Sequence, residues 1–202
     1  MNKPTKKAIV YIDGENFIHR AIDLLGSKRK MKRDAILALN LALFVQKLAN
    51  YEGQVEIRYY TTKVRLFGTT GSVRMRLSEI VAFNSMWIPR LYTQKVQVIR
   101  AGILRARVSD PCPKCGHTVD YFVEKGVDVR LAVDMVLDSH DKQVEKMYVL
   151  SSDLDLLPAI QAVKQRKKKM VYIASAEAVN GALVATMAET LTFTKEDIEA
   201  AI

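Results

Sequence analysis

Four aspartates and the oxygens beside them carry the chemistry available to this sequence. Asp13 is followed by Gly14, Glu15 and Asn16, directly after the apolar run at 7–12 (KAIVYI). Asp153 and Asp155 follow Ser151 and Ser152, after a second such run at 146–150 (KMYVL). Asp128 opens a stretch with helical apolar spacing at 127–140. Carboxylates grouped with Ser and Asn oxygens, and with no His among them, are a hard donor set suited to Mg²⁺ or Mn²⁺. Crowded carboxylates repel one another and hold protons unless a cation relieves them. Paired ions of this kind activate water and stabilise a leaving oxygen in phosphodiester hydrolysis. Each residue alone has a plainer role. Asp13-Gly14 makes a turn with Asn16 as a helix cap, Asp128 suits a helix N-terminus, and Asp153 or Asp155 is a cap. Only their convergence makes a site.

Convergence depends on the elements that carry them. Strand-like runs fall at 7–12, 54–62, 95–100, 146–150 and 170–174. Helical patterns fall between them, at 16–25, 34–50 (with Asp34 as cap), 73–87, 127–140, 156–166 and 179–188. A last short helix opens at Thr194, with Asp197 in its capping-box position. The segment at 103–121 reads as an irregular, Cys-containing insertion in a single domain over 1–202. Such alternation predicts an α/β fold with a mainly parallel central sheet. Ligands of an open parallel sheet bind beyond the carboxyl ends of its strands. Asp13, Asp128, Asp153 and Asp155 then gather at one edge. Lys63 and Arg65 follow the second strand there, and Arg105 and Arg107 come soon after the third.

The charge distribution fits a polyanion at that edge. Residues 1–110 carry 20 Lys and Arg against 8 Asp and Glu, while 111–202 carry 11 against 14. A basic half beside a mildly acidic half suits a nucleic acid held near a negative site. The densest basic cluster is Lys28, Arg29, Lys30, Lys32 and Arg33. Phe83 and Trp87 lie at helical spacing and read as core, not as base-stacking platforms. With 49% hydrophobic and 26% charged residues the chain is globular, and no apolar run approaches the twenty residues of a membrane span. No secretion-type leader is seen, so a cytoplasmic protein is expected.

The two cysteines stand in Pro111-Cys112-Pro113-Lys114-Cys115-Gly116-His117. This looks like one knuckle of a zinc ribbon. Structural zinc takes four ligands, usually from two knuckles, and there is no second pair. His117 would be a third ligand and a homodimer mate a source of the fourth. Otherwise the knuckle only shapes a turn.

Residues 9–16 (IVYIDGEN), 124–134 (EKGVDVRLAVD) and 149–158 (VLSSDLDLLP) resemble, in order, the opening, middle and third motifs of NYN domains. These are the PIN-like nuclease group that includes the LabA-like proteins. Ser152 stands where that family usually has Gly, and Leu156 where it has Phe. Residues 188–191 (AETL) are a weaker echo of its closing segment, with Glu for the usual Asp. The resemblance implies a three-layer α/β/α, Rossmann-like fold with an acidic metal pocket and ribonuclease activity on RNA. It assigns Asp13, Asp128 and Asp153 to the metal, with Asp155 completing the catalytic acids. Asn16, Ser151 and Ser152 support the pocket. Asp134 matches the middle motif, but its six-residue offset from Asp128 puts it on another helix face, in a supporting role. Lys63, Arg65, Arg105 and Arg107 would hold the RNA backbone. Two rival readings are a non-catalytic RNA-binding or regulatory module of the same fold, and an Asp-nucleophile phosphatase. The last wants Asp-x-Asp after the first strand, where this chain has Asp13-Gly14-Glu15.

Overall fold

A computed structural model describes residues 6–26, 32–66 and 71–202. Seven strands form one sheet: β1 (Lys7–Asp13), β2 (Gln54–Val64), β3 (Gln97–Val108), β4 (Asp120–Lys125), β5 (Val144–Leu150), β6 (Lys169–Ser175) and β7 (Glu189–Phe193), in spatial order β4-β3-β2-β1-β5-β6-β7. All neighbours are parallel except β3 and β4, which pair antiparallel. This is a three-layer α/β/α fold of the PIN-like type.

Side chains alternate across β1 and build two cores. Ala8, Val10 and Ile12 face α1 (Gly14–Leu25), α2 (Lys32–Leu37), α3 (Leu41–Ala49), α4 (Gly71–Thr93) and α8 (Lys195–Glu199). Ile9 and Tyr11 face α5 (Val127–Asp138), α6 (Leu157–Gln165) and α7 (Gly181–Thr186). Both faces of β1 are therefore apolar, which is why KAIVYI reads as a continuous run. Phe83 and Trp87 are buried in the first core, as their spacing predicts.

The structure corrects three sequence expectations. The helix expected at 34–50 is two helices, because Asn40 accepts the Leu43 N–H at 3.0 Å and starts a new one; Asp34 lies inside α2 and does not open the long helix. The irregular segment expected at 103–121 is mostly a hairpin. β3 runs on to Val108, and β4 returns beside it with Val108 opposite Asp120 and Ile103 opposite Lys125. β7 is an additional edge strand, absent from the sequence reading. The capping box at Thr194 and Asp197 forms as expected. The cluster at 28–33 lies outside the residues whose side chains are described.

Candidate functional site

β1 is the point where the chain reverses its march across the sheet, with β2 on one side and β5 on the other. A crevice opens beyond the carboxyl ends of strands at such a switch. Asp13 ends β1, and Ser151, Ser152 and Asp153 follow β5. The β3–β4 hairpin folds back so that α5 also starts at this edge, bringing Asp128 in its first turn.

Local geometry allows this crowding. Asp13 caps α1, accepting the Asn16 N–H at 3.2 Å, and Ser151 Oγ donates to its other oxygen at 3.1 Å. A side chain on Gly14 would run into the Tyr59 ring at 2.4–2.6 Å, so glycine alone lets α1 begin this close to β2. Gly126 holds φ at +104° before α5. At Gly102 a Cβ would meet Lys125 O at 2.9 Å and Val127 Cγ2 at 2.8 Å, so β3 is bare where the helix start packs on it. Asp153 caps a 3₁₀ turn at Leu154–Leu156, accepting the Asp155 N–H at 2.9 Å, while its own N–H donates to Ser151 Oγ at 3.2 Å. Ser152 Oγ accepts from Asn16 Nδ2 at 2.8 Å and Arg20 Nη2 at 3.2 Å, and Asn180 Nδ2 donates to its carbonyl at 3.3 Å.

These carboxyl groups raise one another's proton affinity. Burial pushes Asp13 up to about 6, aided by the charges of Asp128 and Asp153 and opposed by the Asn16 and Ser151 hydrogen bonds. Asp128 is raised by burial, then by Asp153 and Asp155. A fifth acid joins them. Glu124 on β4 is pushed up to about 7 by partial burial and by Asp13, Asp128 and Glu15. The sequence reading does not single out Glu124, because β4 is not among its expected strands; the alternation in residues 103–108 (ILRARV) and 120–125 (DYFVEK) is the available signal. Among the described residues no three of these acids already stand in coordination geometry. The donor set nevertheless fits a hard cation: it is all oxygen, it carries mutual repulsion, and no Lys or Arg hydrogen bond to Asp13, Asp128 or Asp153 relieves it among the described contacts.

Asp134 is placed apart. It is buried, accepts the Tyr60 hydroxyl at 2.9 Å, and receives Arg130 Nε at 2.9 Å and 3.0 Å. Its charge is spent on tying α5 to β2. One turn on, Asp138 takes the Tyr11 hydroxyl at 2.7 Å and both terminal nitrogens of Arg58.

Strand register sorts the basic residues. Lys63 pairs with Ile103, and Arg105 and Arg107 follow at two-residue steps. Lys63, Arg65, Arg105 and Arg107 are exposed and share the face of the sheet on which α4 packs. Glu124, opposite Leu104, points to the other face with Thr62 and Gly102. The cations thus line one side of the rim and the acids the other. Arg74 and Arg76, in the first turns of α4, are exposed on that cationic side and were not singled out from sequence. Cys112, Cys115 and His117 lie at the far tip of the β3–β4 hairpin, away from the acids.

Among the described residues no helix is long and apolar enough to cross a membrane. No curated protein matches the chain. Among solved structures, a Vibrio parahaemolyticus RIMD 2210633 protein of unknown function, VPA0982, is similar at a TM-score of 0.58 and 14% identity, with 98% of each chain covered, a likeness of fold. The NYN domain model matches residues 7–194, from the first strand through the last. The chain belongs to the NYN domain family.

Proposed function

We propose that the protein is a metal-dependent ribonuclease whose acidic cleft lies at the β1/β5 switch. The observation that carries this reading is the gathering of Asp13, Asp128 and Glu124 at one edge, each raised by burial and by neighbouring acids, beside a row of exposed cations. Carboxylates taken out of solvent are normally paired; Asp134 and Asp138 in the same helix show what that looks like here. Asp13, Asp128 and Asp153 would hold Mg²⁺ or Mn²⁺, and Asp155 and Glu124 would orient a water. A bound ion of this kind supplies an activated water and stabilises the leaving oxygen. Asn16 and Ser152 fix the floor beside the acids. Lys63, Arg65, Arg105 and Arg107 supply phosphate contacts that position RNA without reading its sequence.

Purified protein should cleave an end-labelled RNA in Mg²⁺ or Mn²⁺ and stop on chelation. Asp153→Asn should cut far more slowly while binding the same RNA at least as well. RNA binding without cleavage in either ion would overturn the enzymatic reading and leave a binding module.

A further inference from the structure

The tip of the β3–β4 hairpin carries a chemistry the acidic cleft does not use. Cys112 N donates to His117 O at 2.9 Å, and Gly116 N donates to Cys112 O at 2.8 Å. Gly116 sits at φ +69°, which closes the loop back on itself. The base is clamped by Ser109 N on Val119 O and by Val119 N on Ser109 Oγ, both at 2.9 Å. The backbone N–H groups of Lys114 and Cys115 are directed at the Cys112 sulfur, with the Cys115 thiol beside it. Both cysteines are free. Two sulfurs are therefore brought together by a loop closed by its own backbone hydrogen bonds.

The arrangement is half of a coordination shell. Tetrahedral zinc takes four ligands. The chain has only these two Cys, and among the described residues no third His, Cys, Asp or Glu joins them. A two-fold axis at the tip doubles whatever one copy offers, turning two thiolates into four. The surroundings suit that contact. Val108 and Val119, at the base of the knuckle, are 62% and 55% exposed and by register stand on opposite faces of the hairpin, so each face brings one exposed apolar side chain near the tip. A zinc ion with four thiolates carries a net charge of −2, and each copy brings one exposed Lys114 to the tip. The cleft acids lie at the opposite end of the hairpin.

We propose that Cys112 and Cys115 form half of a zinc site that two copies of this chain complete, tip to tip. Four thiols lose their protons to solvent as four Zn–S bonds form, with no change of oxidation state. The dimer that results joins two basic hairpins, because Arg105 and Arg107 stand on the strand that leads to the tip.

The test is metal content and molecular mass on the full chain, purified reduced and without chelator. One zinc per two chains and a dimer by light scattering are expected. Cys112→Ser and Cys115→Ser should each lose the metal and run as monomers, while His117→Ala should keep both. Cobalt(II) added to the metal-free parent should saturate at one ion per two chains, with the visible bands of tetrahedral thiolate coordination. This reading does not depend on folding of the variants. Iron instead of zinc, one ion per monomeric chain, loss of metal in His117→Ala, no uptake of either ion, or a dimer that survives both Ser variants would each overturn the proposal.

Discussion

Ser151 Oγ donates to Asp13 Oδ2 at 3.1 Å, joining the ends of two adjacent parallel strands that lie 138 residues apart in sequence. The same oxygen accepts the Asp153 N–H at 3.2 Å. One hydroxyl therefore orients an acid on each side of the switch. Ser151→Ala should leave the fold intact, because the sheet pairing around it is backbone. Cleavage should fall about 10–100-fold, the usual cost of losing an outer partner of a ligating group. A cleavage rate equal to the parent's would show that neither acid needs this support.

The elevated acids set a pH dependence of stability. Burial and the neighbouring carboxylates push Asp13 up to about 6 and Glu124 up to about 7, both above their values in an unfolded chain. The folded state then keeps protons that the unfolded state has released, so the contribution of these two acids to stability is greatest below about pH 4 and declines as pH rises toward 7. Glu124→Gln removes one of these charges. Its melting temperature relative to the parent's should therefore climb between pH 4.5 and 7.5, measured in chelator. Mg²⁺ or Mn²⁺ should stabilise the parent more at pH 7.5 than at pH 5, where protons occupy the site. A gap between variant and parent that stays constant with pH would refute the elevation at Glu124.

The exposed cations predict a salt dependence. Each phosphate contact on a single strand contributes a slope of about −0.7 in log K against log salt. Arg105→Ala and Arg107→Ala should each weaken RNA binding for most sequences alike and flatten that slope by roughly this amount. Unchanged slopes in filter-binding titrations would move the RNA path off the hairpin.

The parallel core was legible in the sequence because its strands are buried on both faces and read as short apolar runs: KAIVYI, KMYVL and MVYIA all became strands within two residues of their expected bounds. Acid placement followed from topology, since residues after parallel strands must share an edge. The hairpin was not legible in the same way. β4 is an edge strand, exposed along most of its length, and has no apolar run to betray it. Glu124 was hidden with it. β7, five residues at the other edge, is too short and too polar to form an apolar run. Asn40 was invisible as a cap because the apolar pattern passes straight across it, and only its hydrogen bond to Leu43 N shows that the helix restarts there.

Asp128 and Asp134 share one helix and one sequence motif, yet their surroundings predict opposite phenotypes. Asp128 is elevated by burial and by two other acids, so its charge opposes folding and serves only a bound cation. Asp128→Asn should keep or slightly raise the melting temperature and lose cleavage by orders of magnitude. Asp134 is buried against Tyr60 and Arg130. Asp134→Ala leaves the Tyr60 hydroxyl without its acceptor in the core, at a cost of about 1–3 kcal/mol. Its cleavage rate per folded molecule should stay close to the parent's when both are assayed well below their melting temperatures. Thermal unfolding and single-turnover cleavage on the two variants separate the roles. If Asp134→Ala loses cleavage while remaining folded, Asp134 acts on the site and not merely on the packing of α5, and the division of this motif into a cleft acid and a buried tether fails.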